Sequence, residues 1–315
     1  MGLCALDVLE MVIMRQPKAA PVFARAQGSK RVVDNPHENA LNLPFQRSPQ
    51  LKVALQAAEA AGCLINDFFR TEFQADVKQT GGQTAGLVTE ADTAAEQAIL
   101  QVVRDAFPAD RILAEETAAD LIESGETNED LWVIDPLDGT NNFAHGIPHF
   151  SISIACCRQG QPFCGVVLDP LHDDWYVAQR GEGAWHNRQR VHVNEHTDLS
   201  ETMIAVGFYY DRGDMMRATL AAMEDFFNLQ VHGIRRMGSA ALDLVSVAAG
   251  RFGVYYEYLL SPWDFAAAWL FLREAGGIIT DGHGNDLQLK PTSVLASNQN
   301  LFQQALEIVK RNHPN

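Results

Sequence analysis

The stretch WVIDPLDGTNNFAHGIPHFSISIA, residues 132–155, carries most of what the chain discloses about its fold. It opens as an apolar strand over 131–135, crosses Pro136, and resumes as a strand over 149–157 after an interval of turn residues. Asp135 and Asp138 stand three apart across the proline, a spacing that a turn or a tight helical start folds onto one side. Taken alone, the pair fits turn chemistry and metal binding equally. Hard divalent cations such as Mg²⁺ take oxygen ligands, and the exposed carbonyl of Leu137 would be one more. Asp138-Gly139-Thr140 then offers a carboxylate, an unhindered N–H and a hydroxyl in succession. If a helix starts there, its free N–H groups favour a phosphate oxygen.

Two more acidic clusters follow apolar segments on either side. RILAEET, 111–117, ends a strand on Glu115 and Glu116, of which one can face a site while the other faces away. SPWDFAAAWLFLREAGG, 261–277, places Asp264 at the opening of an apolar helix, where by itself it reads as an N-cap. Around these, helical periodicity predicts helices over 51–70, with Cys63 and Leu64 on the apolar face, and over 90–107, with Ala94, Ala98, Leu100 and Val103 inward. Strands are expected over 111–114, 163–169 and 174–178, then over 203–208, 253–257, 277–280 and 293–296. Further helices are expected over 214–227, 239–249, 264–275 and 301–311. The chain is therefore α/β or α+β, with lobes over 50–186 and 187–315. Residues 1–49 hold Pro17, Pro21, Pro36, Pro44 and Pro49 without sustained period, and read as a poorly ordered extension or a targeting or partner-binding tail.

Composition narrows the function. The 315 residues carry 24 basic and 40 acidic side chains, a net charge of −16, and are 47% hydrophobic. Such a chain can bury a core without disulfides or structural zinc. Between Arg111 and Arg158 there is no Lys or Arg, yet the 46 residues hold nine carboxylates, among them Asp120, Glu123, Glu126, Glu129 and Asp130. A nucleic-acid backbone as main partner is disfavoured, since phosphate binding wants clustered cations; an acidic surface or cation binding fits instead. Five cysteines without a CxxC pair read as reduced core residues of a cytoplasmic protein, and no apolar run is long enough to span a membrane. His145 and His149 read as packing residues, and Phe265, Trp269 and Phe271 as core at helical spacing.

Four strings then resemble the successive signatures of the inositol monophosphatase family: LVTEAD (87–92), LAEET (113–117), the 132–155 stretch, and YYEYLLSPWDFAAAWLFLREAGG (255–277). The likeness spans roughly 50–310. It implies a layered αβαβα sandwich of the sugar-phosphatase type with its site between the lobes, and two to three Mg²⁺ ions. Carried over residue by residue, Glu115, Asp135 and the Leu137 carbonyl would bind one ion, and Asp135, Asp138 and Asp264 a second. Thr140, oriented by Asp92, would position the attacking water with Glu115. Asp138, Gly139, Thr140, Gly238, Ser239, Ala240 and Glu257 would contact substrate. From the residues alone, Ser239 could equally be a helix cap and Glu257 an exposed strand end. Arg235 and Arg236 read as surface arginines, with steering of an anion the alternative. Lys78 lies in KQTGGQTAG, longer and richer in Gly than the family's connecting loop, which leaves its part as active-site lysine open.

The resemblance implies a phosphomonoesterase for inositol monophosphate or a related small polyol or sugar phosphate. Fructose 1,6-bisphosphate, adenosine 3′,5′-bisphosphate and histidinol phosphate are substrates of relatives, and some bacterial members also contact the transcription machinery. A homodimer is implied in the same way.

Overall fold

Alternation along the strand of 131–138 sets the architecture. In the computed structural model, which describes residues 43–70, 75–80, 83–117 and 130–314 (backbone alone for 75–80 and 83–89), Trp132 and Ile134 pack into one core and Val133 into another. Side chains two apart share a face, so a strand with both faces apolar belongs inside two layers.

The elements run α1 (Pro49–Arg70), β1 (Ala75–Thr80), β2 (Gln83–Thr89), α2 (Glu90–Ala106), β3 (Arg111–Ala114), β4 (Leu131–Asp138), α3 (Thr140–Ala144), β5 (Ser151–Arg158), β6 (Gln161–Asp169), β7 (Asp174–Gln179), β8 (Gly183–His186), β9 (Gln189–Val191), β10 (Met203–Val206), α4 (Asp214–Asn228), β11 (Gly233–Arg235), α5 (Ala240–Ala248), β12 (Val254–Leu260), α6 (Pro262–Glu274), β13 (Ile278–Thr280), β14 (Thr292–Ser297) and α7 (Gln299–Asn312). Strands β3 to β9 form a seven-stranded sheet in chain order, parallel between β3 and β4 and antiparallel beyond. A five-stranded mixed sheet has the order β11-β10-β12-β14-β13.

Three cores stack the layers. Helices α1 and α2 cover one face of the large sheet through Leu55, Ala58, Ile99, Trp132 and Ile154. Its other face meets α5 and α6, and these in turn meet the small sheet through Tyr255, Val294 and Ala296. The far face of the small sheet packs on α4 and α7 through Phe226, Tyr256, Leu295 and Leu301. This is the αβαβα order that the resemblance implies. Helix α6 is apolar nearly all round because it lies between two sheets, with Phe265, Trp269 and Phe271 at most 1% exposed.

Two faces differ from their sequence reading. Cys63 of α1 is exposed, and the inner row is Ala58, Ala61 and Ile65, spaced three and four apart as a helix face requires. In α2, Leu100 and Val103 are buried as expected, but the rest of the buried face is Ala91, Asp92, Ala95, Glu96 and Ile99, leaving Ala94 and Ala98 only partly covered. Sequence reading favours the alanines because a buried Asp and Glu are costly unless partnered; both partners appear in the site. The stretch after Lys78 is a β1–β2 antiparallel pair rather than a connecting loop. Residues 1–42 of the N-terminal extension, the Lys78 side chain, and Asp120, Glu123, Glu126 and Glu129 lie outside the described residues. Among the described residues no helix is long and apolar enough to cross a membrane.

Candidate active site

Pro136 has no N–H to give to a ladder, and the strand bulges there. Asp135 pairs with Ser153 and Asp138 with Ser151, so three steps on β4 match two on β5. Residues three apart on a regular strand face opposite ways, and the extra residue of a bulge restores them to one face. The same-sided placement expected of Asp135 and Asp138 thus comes from a bulge inside a strand, not from a turn or a helical start. The Asp135 carboxylate accepts from the Leu137 N–H at 3.0 Å, which fixes the bulge.

Behind Asp138 the backbone turns through Gly139 at φ 99°, in the left-handed region. A Cβ there would meet the His149 carbonyl at 3.1 Å and the Gly238 carbonyl at 3.3 Å. Thr140 opens the short α3, and its hydroxyl reaches Asp92 Oδ1 at 3.2 Å and the Leu137 carbonyl at 3.0 Å. One proton serves only one of them at a time, so Asp92 and Leu137 compete for it. One turn along α2, the Glu96 carboxylate accepts from the Glu116 N–H at 2.8 Å. That anchors the end of β3 and leaves Glu115, not Glu116, lining the cavity. Glu96 is a positioning residue that the sequence reading missed; its signal was the pairing with Asp92 at i, i+4 on one helix face.

Residues after the large sheet close the site. Ser239 caps α5 by accepting from the Leu242 N–H, and its hydroxyl also donates to Asp138 Oδ2 at 2.6 Å. The Ala241 N–H donates to the same oxygen at 2.8 Å. The cap expected of Ser239 is present, and the same side chain also holds Asp138. Asp264 is not the N-cap of α6. That place belongs to Ser261, whose N–H donates to Asp264 Oδ2 at 2.7 Å. Glu257 is not an exposed strand end: it is 7% exposed and accepts from the Tyr255 hydroxyl at 2.7 Å. A Cβ at Gly207 would overlap its carboxylate, so the glycine makes room for it. Asn142, 6% exposed, donates to the His149 carbonyl at 2.7 Å and to the Met237 carbonyl at 2.8 Å, tying α3 to the segment before Gly238.

These side chains line one cavity of about 340 Å³ that brings together Glu115, Asp135, Leu137, Asp138, Gly139, Thr140, Gly238, Ser239, Ala240, Glu257 and Asp264. Asp92 stands behind Thr140. Arg236 is at the cavity and Arg235 is not among its lining. Burial foremost, and then the neighbouring carboxylates, pushes Asp135 and Asp264 well above the ordinary carboxylate range. Burial lifts Asp138 to about 6, against the lowering pull of Ser239 and Ala241, and Glu257 to about 7, against that of Tyr255. Such a concentration of carboxylate oxygen, with a carbonyl and no His or Cys among the described lining, suits a hard divalent cation. Among the described residues no three acidic, His or Cys side chains are placed closely enough to hold a metal ion between them as they stand.

A sequence profile of the inositol monophosphatase family matches residues 46–313. The chain belongs to the inositol monophosphatase family. It is 40% identical over 274 residues to a Nus factor SuhB of Pseudomonas aeruginosa, covering 84% of this chain and 97% of the relative. It is also 40% identical over 267 residues to an inositol-1-monophosphatase of Mesorhizobium japonicum, again covering 84% and 97%. Among solved structures, the extragenic suppressor protein suhB of Bartonella henselae superposes with a TM-score of 0.76 at 35% identity, over 84% of this chain and 99% of that one. The family consists of phosphatases of phosphorylated sugars and polyols and is generally Mg²⁺-dependent.

Proposed function

We propose that the chain is a Mg²⁺-dependent phosphomonoesterase that hydrolyses inositol monophosphate or a related small polyol phosphate to the alcohol and inorganic phosphate. The observation that carries this reading is the convergence of Glu115, Asp135, Asp138 and Asp264, from the turn after β3, from β4 and from α6, on one cavity with Thr140 beside them. Glu115, Asp135 and the Leu137 carbonyl would hold one cation, and Asp135, Asp138 and Asp264 another. Bound there, Mg²⁺ supplies the positive charge that neutralises the phosphate oxygens and stabilises both the attacking and the leaving oxygen of an in-line displacement.

The chain's own residues do the rest. With its proton held by Asp92 or by the Leu137 carbonyl, Thr140 Oγ1 presents a lone pair to a water, which Glu115 holds from the other side. The hydroxyl relays no net charge; it orients. Gly139 lets the phosphate approach the backbone where a side chain would block it. Ser239 and the Ala241 N–H fix Asp138 from the second lobe, so the lobes must be in register for the acidic set to be complete. Glu257, with Gly238 and Ala240, faces the alcohol.

The test is phosphate release from inositol 1-phosphate, fructose 1,6-bisphosphate, adenosine 3′,5′-bisphosphate, histidinol phosphate and glycerol 2-phosphate, with Mg²⁺ and with chelator. Hydrolysis of a polyol monophosphate in Mg²⁺ alone is expected. A second reading, a regulatory protein of the transcription machinery, is favoured by the likeness to proteins named Nus factor. An Asp138→Asn variant separates them: if it releases no phosphate yet restores growth to a deletion strain, the essential role is the regulatory one.

A further inference from the structure

Helix α5 reads AALDLVSVA, and Asp243 is the lone charged residue in a segment that is apolar and buried apart from Ser246. Its side chain is 2% exposed and lines the cavity. Its Oδ1 has no hydrogen-bond partner. Buried polar atoms are nearly always partnered, and a carboxyl oxygen left without one destabilises the fold. Two hydroxyls of the same cavity lining are committed elsewhere: that of Ser239 donates to Asp138 and that of Tyr255 to Glu257. Arg236 is exposed at the rim and touches Asp243 only through its field. Oδ1 is itself sealed off, whereas the second carboxyl oxygen is not, and neither is bonded within the protein; such a carboxyl in the wall of a cavity points to a donor that arrives with the ligand.

We infer that Asp243 is a specificity-determining residue which accepts a hydrogen bond from a hydroxyl of the leaving alcohol, so that the site selects polyhydroxylated monophosphates over bisphosphates. The inference rests on the phosphatase reading above. Beyond the four carboxylates assigned to cations, the described lining of the cavity holds two more, Asp243 and Glu257, and one basic side chain, Arg236. A ring hydroxyl donates to such acceptors. A second phosphate brings only more acceptor oxygens and sets oxygen against oxygen. A pocket built to hydrogen-bond a hydroxyl rejects an analogue lacking it much more strongly than an apolar pocket rejects a missing methylene.

The experiment compares kcat/KM for inositol 1-phosphate, its mono-deoxy analogues and fructose 1,6-bisphosphate between wild type, Asp243→Ala and Asp243→Asn, with a thermal melt of each. In wild type, loss of one particular hydroxyl lowers kcat/KM by about tenfold or more. Asp243→Ala abolishes that sensitivity and narrows the preference for inositol 1-phosphate over the bisphosphate by a similar factor. It melts no lower than wild type, because it also removes the orphan oxygen. Asp243→Asn, which keeps an acceptor, retains part of the sensitivity. Wild type indifferent to every deoxy position overturns the inference without recourse to any variant. So does an Asp243→Ala enzyme that keeps wild-type preferences, or one that fails to fold, since either assigns Asp243 to structure alone. Wild type releasing no phosphate from any monoester overturns the phosphatase reading itself, before the variants are compared.

Discussion

At the scale of single residues, the acidic set is expensive to fold and informative for that reason. Asp135 is 1% exposed among other carboxylates, a placement that folding alone does not favour. Replacing Asp135 or Asp138 by Asn is expected to leave a folded protein with less than about a tenth of wild-type turnover, read by phosphate release and circular dichroism. The pH dependence of stability has a definite sign. An Asp138 pKa raised from 3.8 to about 6 means that the folded state binds the proton more tightly than the unfolded chain. The associated stability is full below about pH 4 and is lost as pH rises through about 6. In chelator, Asp138→Asn should therefore gain on wild type in melting temperature between pH 4 and pH 8, by about 1–2 kcal/mol of stability; a constant difference across that range contradicts the burial argument. The four carboxylates proposed as ligands were legible in the sequence because each borders an apolar run. Asp243 and Glu96 were not, because a buried carboxyl inside a helical pattern looks like an interruption until its surroundings are known.

At the scale of elements, backbone geometry positions the site more than side-chain choice does. The bulge at Pro136 turns two carboxylates to one face, and Gly139 occupies a conformation that an L-residue adopts only with strain. Gly139→Ala should lower stability by about 1–3 kcal/mol, seen as a fall of several degrees in melting temperature, and should cut activity more than a comparable core substitution. Wild-type activity in that variant would show that the turn is not part of the phosphate cradle. Apart from the β1–β2 pair, which was read as a loop, most strands and helices were readable from periodicity to within a few residues. The bulge was not, since an Asp-Pro-x-Asp run is compatible with a turn, a helix start or a strand, and only pairing with β5 decides among them. The short strands β8, β9 and β11 escaped notice because three or four residues carry too little alternation. The acidic part of the buried face of α2 escaped it because Thr140 and Glu116, which partner Asp92 and Glu96, come from later in the chain.

At the scale of the whole molecule, the two sheets clamp α5 and α6 between them, and the cavity draws carboxylates from both sides of that clamp. The layer order follows from strands buried on both faces; the chain alone does not choose it over other two-lobed α/β arrangements, and there the family resemblance was decisive. The stretch without Lys or Arg from 112 to 157 takes on meaning at this scale. An acidic molecule with an anionic substrate needs its cations bound locally. Mg²⁺ at about a hundred times its dissociation constant should accordingly stabilise wild type by about 2.7 kcal/mol, and Asp135→Asn much less, in a thermal melt. The most direct measurement is phosphate release from inositol 1-phosphate by the wild-type chain, with Mg²⁺ and then with chelator. The account predicts turnover that appears with Mg²⁺ and disappears on its removal; equal rates under both conditions would contradict it.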